Sequence, residues 1–182
     1  MEIIRLSIEG LLIIKPKVFG DERGHFFESW NKKAYQDIGL DLDFTQDNQS
    51  ISQKGVLRGL HFQNPPYAQG KLVRVIKGAV IDVAVDLRKG SLTYGQHISV
   101  KLTEQNMKTF WIPPGFAHGF VALENDTIFS YKCTEVYNQD AEGSLLWNDP
   151  DLNISWGVQN PLVSEKDKHS CLFKNFKSPF SL

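Results

Sequence analysis

Gly70-Lys71-Leu72-Val73-Arg74-Val75-Ile76-Lys77-Gly78-Ala79-Val80-Ile81-Asp82-Val83-Ala84-Val85-Asp86 is the stretch whose reading decides the fold class. Residues 72–76 and Ala79–Asp86 are two β-branched runs, separated by Lys77-Gly78, which suits a tight turn. In the second run Ala79, Ile81, Val83 and Val85 are apolar, whereas Asp82 and Asp86 interrupt the alternate positions. A period of two is the spacing of a strand with one buried face. The stretch therefore predicts a half-buried strand, paired with its predecessor in a hairpin. Outward from it, residues 95–102, Thr109–Ile112, 119–124 and 127–135 repeat the pattern between Gly, Pro, Asn and Asp. Ser29 is a plausible N-cap for a helix whose stripe is Ala34, Tyr35 and Ile38 and whose stop is Gly39. Past Gln159 the signals are mixed, and residues 165–168 could open a short helix. Many short strands with few helices indicate an antiparallel sandwich or barrel.

At 182 residues the chain is read as one domain over residues 1–182, long enough to bury a substantial core. A net charge of -1 and no dense basic run give nucleic-acid binding no footing. Leu11-Leu12-Ile13-Ile14 stops at Lys15-Pro16, too short for a membrane span and better read as a buried strand. A signal-peptide cleavage pattern is lacking. Cys133 and Cys171 have no metal-like spacing, which suits a reduced cytoplasmic protein rather than a disulfide scaffold.

The densest candidate chemistry is Val56-Leu57-Arg58-Gly59-Leu60-His61-Phe62-Gln63, followed by Lys71 on the next strand. A lone strand histidine is usually structural. Here Arg58, His61 and Lys71 crowd adjacent strands, and buried cations are costly unless acids or an anionic ligand offset them. Strict alternation sends Arg58 and His61 to opposite faces, unless Gly59 hosts a bulge. His118 follows the turn Pro113-Pro114-Gly115, where a histidine bonded to backbone is the plain alternative. Tyr131 and Tyr137 are ordinary core or rim tyrosines, or else a general acid and a stacking platform for a base. The polar run Phe44-Thr45-Gln46-Asp47-Asn48-Gln49-Ser50 is either a solvated edge or a row of hydrogen-bond partners for a ligand. Residues 19–28 mix turn residues, charges and aromatics, as loops often do.

The run Pro113-Pro114-Gly115-Phe116-Ala117-His118 resembles the second signature of the cupin barrels, and His61 begins the first. Gln63 stands where that signature has its second histidine, and Lys71 where it has its glutamate. Zinc and iron sites need about three or four imidazole or anionic ligands, and an ammonium group repels a metal. The resemblance implies a mostly β, antiparallel jelly-roll barrel with a few short helices. Its metal is replaced by a cation and free imidazoles.

Arg58-Gly59-Leu60-His61, Gly70-Lys71-Leu72-Val73-Arg74-Val75, the run from Pro113 to Phe120 and Tyr131-Lys132 together resemble the dTDP-4-dehydrorhamnose 3,5-epimerase family, from Gly20 to about Asp167. The resemblance implies a dTDP-4-dehydro-6-deoxy-D-glucose substrate inverted at C3 and C5, both beside its C4 ketone, to give dTDP-4-dehydro-L-rhamnose. It implies His61 as base, Asp167 as the carboxylate orienting it, Lys71 as stabiliser of the enolate oxygen and Tyr131 as the acid at C5. Arg23, Glu28, Gln46, Asp47, Asn48, Arg58, His118, Tyr137, Glu142 and Lys166 would bind the rest of the substrate, with Tyr137 stacked on thymine. It further implies a homodimer in which a strand of one subunit completes the partner's sheet and site, with no metal and no cofactor. The alternatives are an epimerase acting at C3 alone on a related sugar in a secondary-metabolite pathway, a metal-dependent cupin enzyme, and a silent sugar-nucleotide binding module. Tyr131 argues against the first of these.

Overall fold

Short alternating strands can bury both faces when two sheets and their flanking segments enclose them, and this chain does so. The structure, a computed structural model, describes residues 1–182. In chain order it runs β1 (Glu2–Arg5), β2 (Leu12–Lys15), β3 (Val18–Asp21), β4 (Gly24–Phe27), α1 (Lys32–Gln36), β5 (Gln46–Ser52), β6 (Val56–Gln63) and β7 (Lys71–Lys77). It continues with β8 (Ala79–Asp86), β9 (His97–Thr103), β10 (Thr109–Ile112), β11 (Phe116–Ala122), β12 (Thr127–Cys133), β13 (Glu142–Ser144), β14 (Leu162–Val163) and α2 (Glu165–Lys168). One sheet has the order β1-β2-β10-β7-β12-β5, and the other β13-β6-β11-β8-β9 with β14 added on β6. Strands β3 and β4 form a separate hairpin. All pairings are antiparallel except β14 on β6. This is the expected double-sheet, cupin-like jelly roll.

Gly78 makes the expected turn at φ +82, but β7 and β8 do not pair. Strand β7 lies between β10 and β12, whereas β8 lies between β11 and β9 in the opposite sheet. The turn carries the chain across the sandwich. A local pattern cannot separate this crossing from a hairpin, because both need the same turn and the true partners are remote in sequence.

Strand β8 is also buried on both faces rather than one. Val80 and Ala84 join the inter-sheet core with Val73, Val75, Phe110 and Phe129. Val83 and Val85 join a second core with Leu57, Leu60, Val121 and Trp156. Asp82 is therefore fully buried on the inter-sheet side.

Two smaller differences follow from local chemistry. Asn31, not Ser29, caps α1, its side-chain oxygen accepting from Ala34 N at 3.1 Å. The helix is only five residues long and anchors by burying Tyr35, and the chain turns away through Gly39 at φ +84, as expected of a glycine stop. Strand β11 begins at Phe116, so His118 sits within a fully buried strand rather than at the turn before it. The expected short helix at residues 165–168 is α2, capped by Ser164, whose hydroxyl accepts from Asp167 N at 3.2 Å.

Candidate active site

The register between β6 and β11 answers the question of facing. His61 pairs with His118 and Arg58 with Phe120, so three steps along β6 oppose two along β11. One extra residue in a ladder is a β-bulge, and it re-aims the side chains on either side. Gly59 supplies it at φ +130, and a Cβ there would lie 2.5 Å from Gly119 Cα. Only glycine fits, and as a result Arg58 and His61 reach the same cavity.

That cavity, about 580 Å³, opens between the sheets. Arg58, His61, His118 and Phe120 line it from one sheet, and Ser50, Lys71 and Tyr131 from the other. Leu162, Val163, Ser164, Lys166 and Asp167 close one side. The pairing of β14 with β6 and the Ser164 cap place α2 against β6, so that Asp167 Oδ1 lies 2.6 Å from His61 Nε2. Gly59 N donates to its other oxygen at 3.3 Å. Burial alone would raise the Asp167 carboxyl, but the bond and charge of His61, with Gly59 N–H and Ser164, hold it below the usual range. Asp167 is thus ionised at neutral pH. With Nε2 so engaged, Nδ1 is the ring nitrogen left free for proton transfer.

A second histidine–carboxylate pair lies beside the first. His118 Nε2 is 2.9 and 3.0 Å from the two Asp82 oxygens, and both residues are buried. Burial pushes Asp82 up and His118 down, while their mutual attraction opposes both shifts. Lys71 has no ion-pair partner. Burial lowers its pKa, and Cys133, Asp82 and Glu142 act the other way. Arg58 also lacks a carboxylate partner and donates to Ser52 Oγ at 3.3 Å. Two cations without acids make the cavity receptive to an anion or to developing negative charge. Burial raises the Tyr131 phenol, reinforced by Cys133 and opposed by Arg58 and Asn48, so the phenol carries its proton at neutral pH.

At the rim, Tyr137 Oη donates to Glu142 at 2.9 Å, Glu142 pairs with Lys166, and Tyr137 N donates to Gln46 Oε1 at 2.7 Å. Gln46 in turn donates to Asn48. Asp47 does not join them: it faces out from β5 and pairs with Lys132. Arg23 and Glu28 are also away from this cavity. Arg23 stands on the exposed β3–β4 hairpin paired with Asp21, and Glu28 just beyond it accepts from Asn31. Gln63 is turned into the fold, bonded to the backbone of Tyr67, Val136 and Asn138. Nowhere do three His, Cys, Asp or Glu side chains gather as a metal would need. Sequence reasoning left two groups unassigned: Asp82, buried behind the cavity and bonded to His118, and Ser50 on the cavity wall. The first had a signal, a carboxylate breaking an apolar strand; the second lay at the end of the polar run.

The family model for dTDP-4-dehydrorhamnose 3,5-epimerase matches residues 5–175. A dTDP-4-dehydrorhamnose 3,5-epimerase of Shigella flexneri is 52% identical over 168 residues, covering 92% of this chain and 93% of its own. The crystal structure of a dTDP-6-deoxy-D-glucose-3,5-epimerase from Legionella pneumophila Philadelphia 1, in complex with dTDP-4-keto-L-rhamnose, superposes with a TM-score of 0.92. It is 48% identical, covering 97% of this chain and 94% of that one. A 3'-monoepimerase of Streptomyces bikiniensis is more distant, at 32% identity and TM-score 0.87 over 92% of this chain and 85% of that one.

Proposed function

The chain belongs to the dTDP-4-dehydrorhamnose 3,5-epimerase family, and from that premise we propose how its cavity inverts two carbons of one sugar. The activity is 3,5-epimerisation of dTDP-4-dehydro-6-deoxy-D-glucose to dTDP-4-dehydro-L-rhamnose. Hydrogens at C3 and C5 are acidic because the C4 carbonyl accepts the electrons left behind. His61 Nδ1 takes the proton, and the ionised Asp167 at 2.6 Å stabilises the imidazolium that forms. The electron pair moves onto the C4 oxygen, and Lys71 offsets the charge there. A charge already in place does not need to reorganise as the enolate forms. Tyr131 projects from the opposite sheet and returns a proton to C5 on the other face, inverting it; at C3 the opposite-face proton comes from solvent, and His61 releases its proton to solvent after each inversion.

One observation carries this reading: a base held by a carboxylate and a protonated phenol face each other across a single cavity, with an unpaired ammonium between the sheets. Arg58, His118, Lys166, Glu142, Gln46 and Asn48 are read as contacts for the sugar and pyrophosphate, and exposed Tyr137 as the platform for thymine. Arg23 and Glu28 would reach a cavity only from a second copy. The hairpin's exposed Phe19 and Phe26 and the unpaired outer edge of β5 support a homodimer built that way. Residues 1–182 are taken as one domain because both sheets share a core. A cytoplasmic location is supported by two free cysteines and a nucleotide-linked substrate. No helix is long and apolar enough to cross a membrane.

The test is incubation with the 4-keto sugar nucleotide in deuterated water, followed by NMR. Deuterium at both C3 and C5 is expected. Label at C3 alone would select the single-carbon alternative, and no label would end the catalytic reading.

A further inference from the structure

Strand β5 turns Gln46, Asn48, Ser50 and Ser52 inward, while Asp47, Gln49 and Ile51 face out. Three of the four inward groups are satisfied. Gln46 accepts from Tyr137 N and donates to Asn48, Asn48 donates to Cys133 Sγ at 3.7 Å, and Ser52 accepts from Arg58 Nε. Ser50 Oγ has no partner. It is the one buried side-chain nitrogen or oxygen in the protein left without a hydrogen bond. A buried hydroxyl in that state costs its desolvation with nothing returned, and alanine would fill the same space without the cost.

Ser50 as a residue is not in a sealed core. Ser50 lines the cavity with Arg58, Phe120 and Tyr131. Ser50 pairs with Phe129 and Asn48 with Tyr131, so Ser50 and Tyr131 are diagonal neighbours on adjacent strands and point the same way. Gln46, four residues back along β5, meets the platform residue Tyr137 at the rim. At roughly 3.3 Å per residue, Ser50 lies about 13 Å further on, beyond the reach of a base stacked there.

We propose that Ser50 is a substrate-contacting residue of the sugar subsite, its hydroxyl hydrogen-bonding an oxygen of the 4-keto hexose on the side Tyr131 approaches. The proposal rests on the epimerase reading above and adds to it a residue that faces the sugar rather than the nucleotide.

Ser50→Ala separates the possibilities. The proposal expects kcat/KM for the 4-keto sugar nucleotide to fall about tenfold, the size of one lost hydrogen bond between uncharged groups. It also expects dTDP to bind as in the unaltered protein by calorimetry, and the unfolding temperature to stay level or rise. A kcat/KM within twofold of the unaltered protein would overturn it. So would an equal loss of dTDP affinity, or a lower unfolding temperature, which would give the hydroxyl a structural partner. If the unaltered protein itself exchanged no deuterium, the epimerase reading would fail first, and with it this addition.

Discussion

Replacing Asp167 by asparagine changes one charge and leaves the shape of the site intact. Gly59 N–H points at one carboxylate oxygen at 3.3 Å, and this donor requires an acceptor, so the amide oxygen takes that position. The amide NH₂ then faces His61 Nε2 at the former 2.6 Å contact and donates to it. A ring nitrogen that accepts cannot carry the proton, which is forced onto Nδ1. That is the nitrogen that should take the substrate's proton. A wrongly set tautomer costs about 10⁴-fold in kcat in a hydrolase triad built on the same pairing. At about 1.36 kcal/mol per decade this is roughly 5 kcal/mol of lost transition-state stabilisation. The assay is the initial rate of deuterium entry at C3 by NMR, with calorimetric dTDP affinity as the control for an intact site. Stability gives an independent check. The folded Asp167 pKa lies below its unfolded value, so its contribution is present above that value and lost as pH falls through the folded one. Wild type should therefore exceed the asparagine variant in stability at pH 7, with the gap closing below about pH 4. A variant that exchanges within tenfold of wild type would refute the orienting role.

Lys71→Met should slow exchange about 10²–10³-fold, the loss expected for one electrostatic donor. Because Lys71 is desolvated without an ion pair, the same change should raise the unfolding temperature, by about 2–4 °C per kcal/mol gained; a lower temperature would contradict this account of the charge. Gly59→Ala forces a side chain into φ +130 against Gly119 and should lower both stability and exchange, and unchanged values would mean the bulge is dispensable. Asp86 is held at about 2 against the raising effect of burial, by bonds from Arg88, Thr93 and Ser91. Asp86→Ala should cost about 3 kcal/mol in urea unfolding at pH 7. Because the folded pKa is the lower one, that cost should shrink between about pH 4 and pH 2; a cost independent of pH would refute the ionised network.

Strand positions were legible wherever alternation and turn residues coincide, as at Thr109–Ile112 and at Gly78. Pairing was not. The β7–β8 turn looked like a hairpin because nothing within ten residues reports that the partners are β12 and β11. Arg58, His61 and Lys71 could be singled out because cations and an imidazole on apolar strands carry a desolvation cost that calls for explanation, whereas His118 stood out through the run Pro113 to His118. Asp82 belonged to the same logic and went unassigned, since its offsetting partner His118 sits on a strand distant in sequence. The facing of Arg58 and His61 depended on one bulge, for which Gly59 was a permissive sign and the register the proof. Arg23 and Glu28 entered through family resemblance alone and Asp47 through the polar run as well, and this chain by itself does not gather their side chains at the cavity.

Tyr131→Phe in deuterated water, with C3 and C5 resolved by NMR, bears most directly on the claim that proton removal and return occur on opposite walls. The phenol is removed while His61, Asp167 and Lys71 remain, so deuterium should still enter, and inversion at C5 should fall by about 10²–10⁴-fold, the usual contribution of a general acid. Full C5 inversion at the wild-type rate would mean that the second wall supplies no proton.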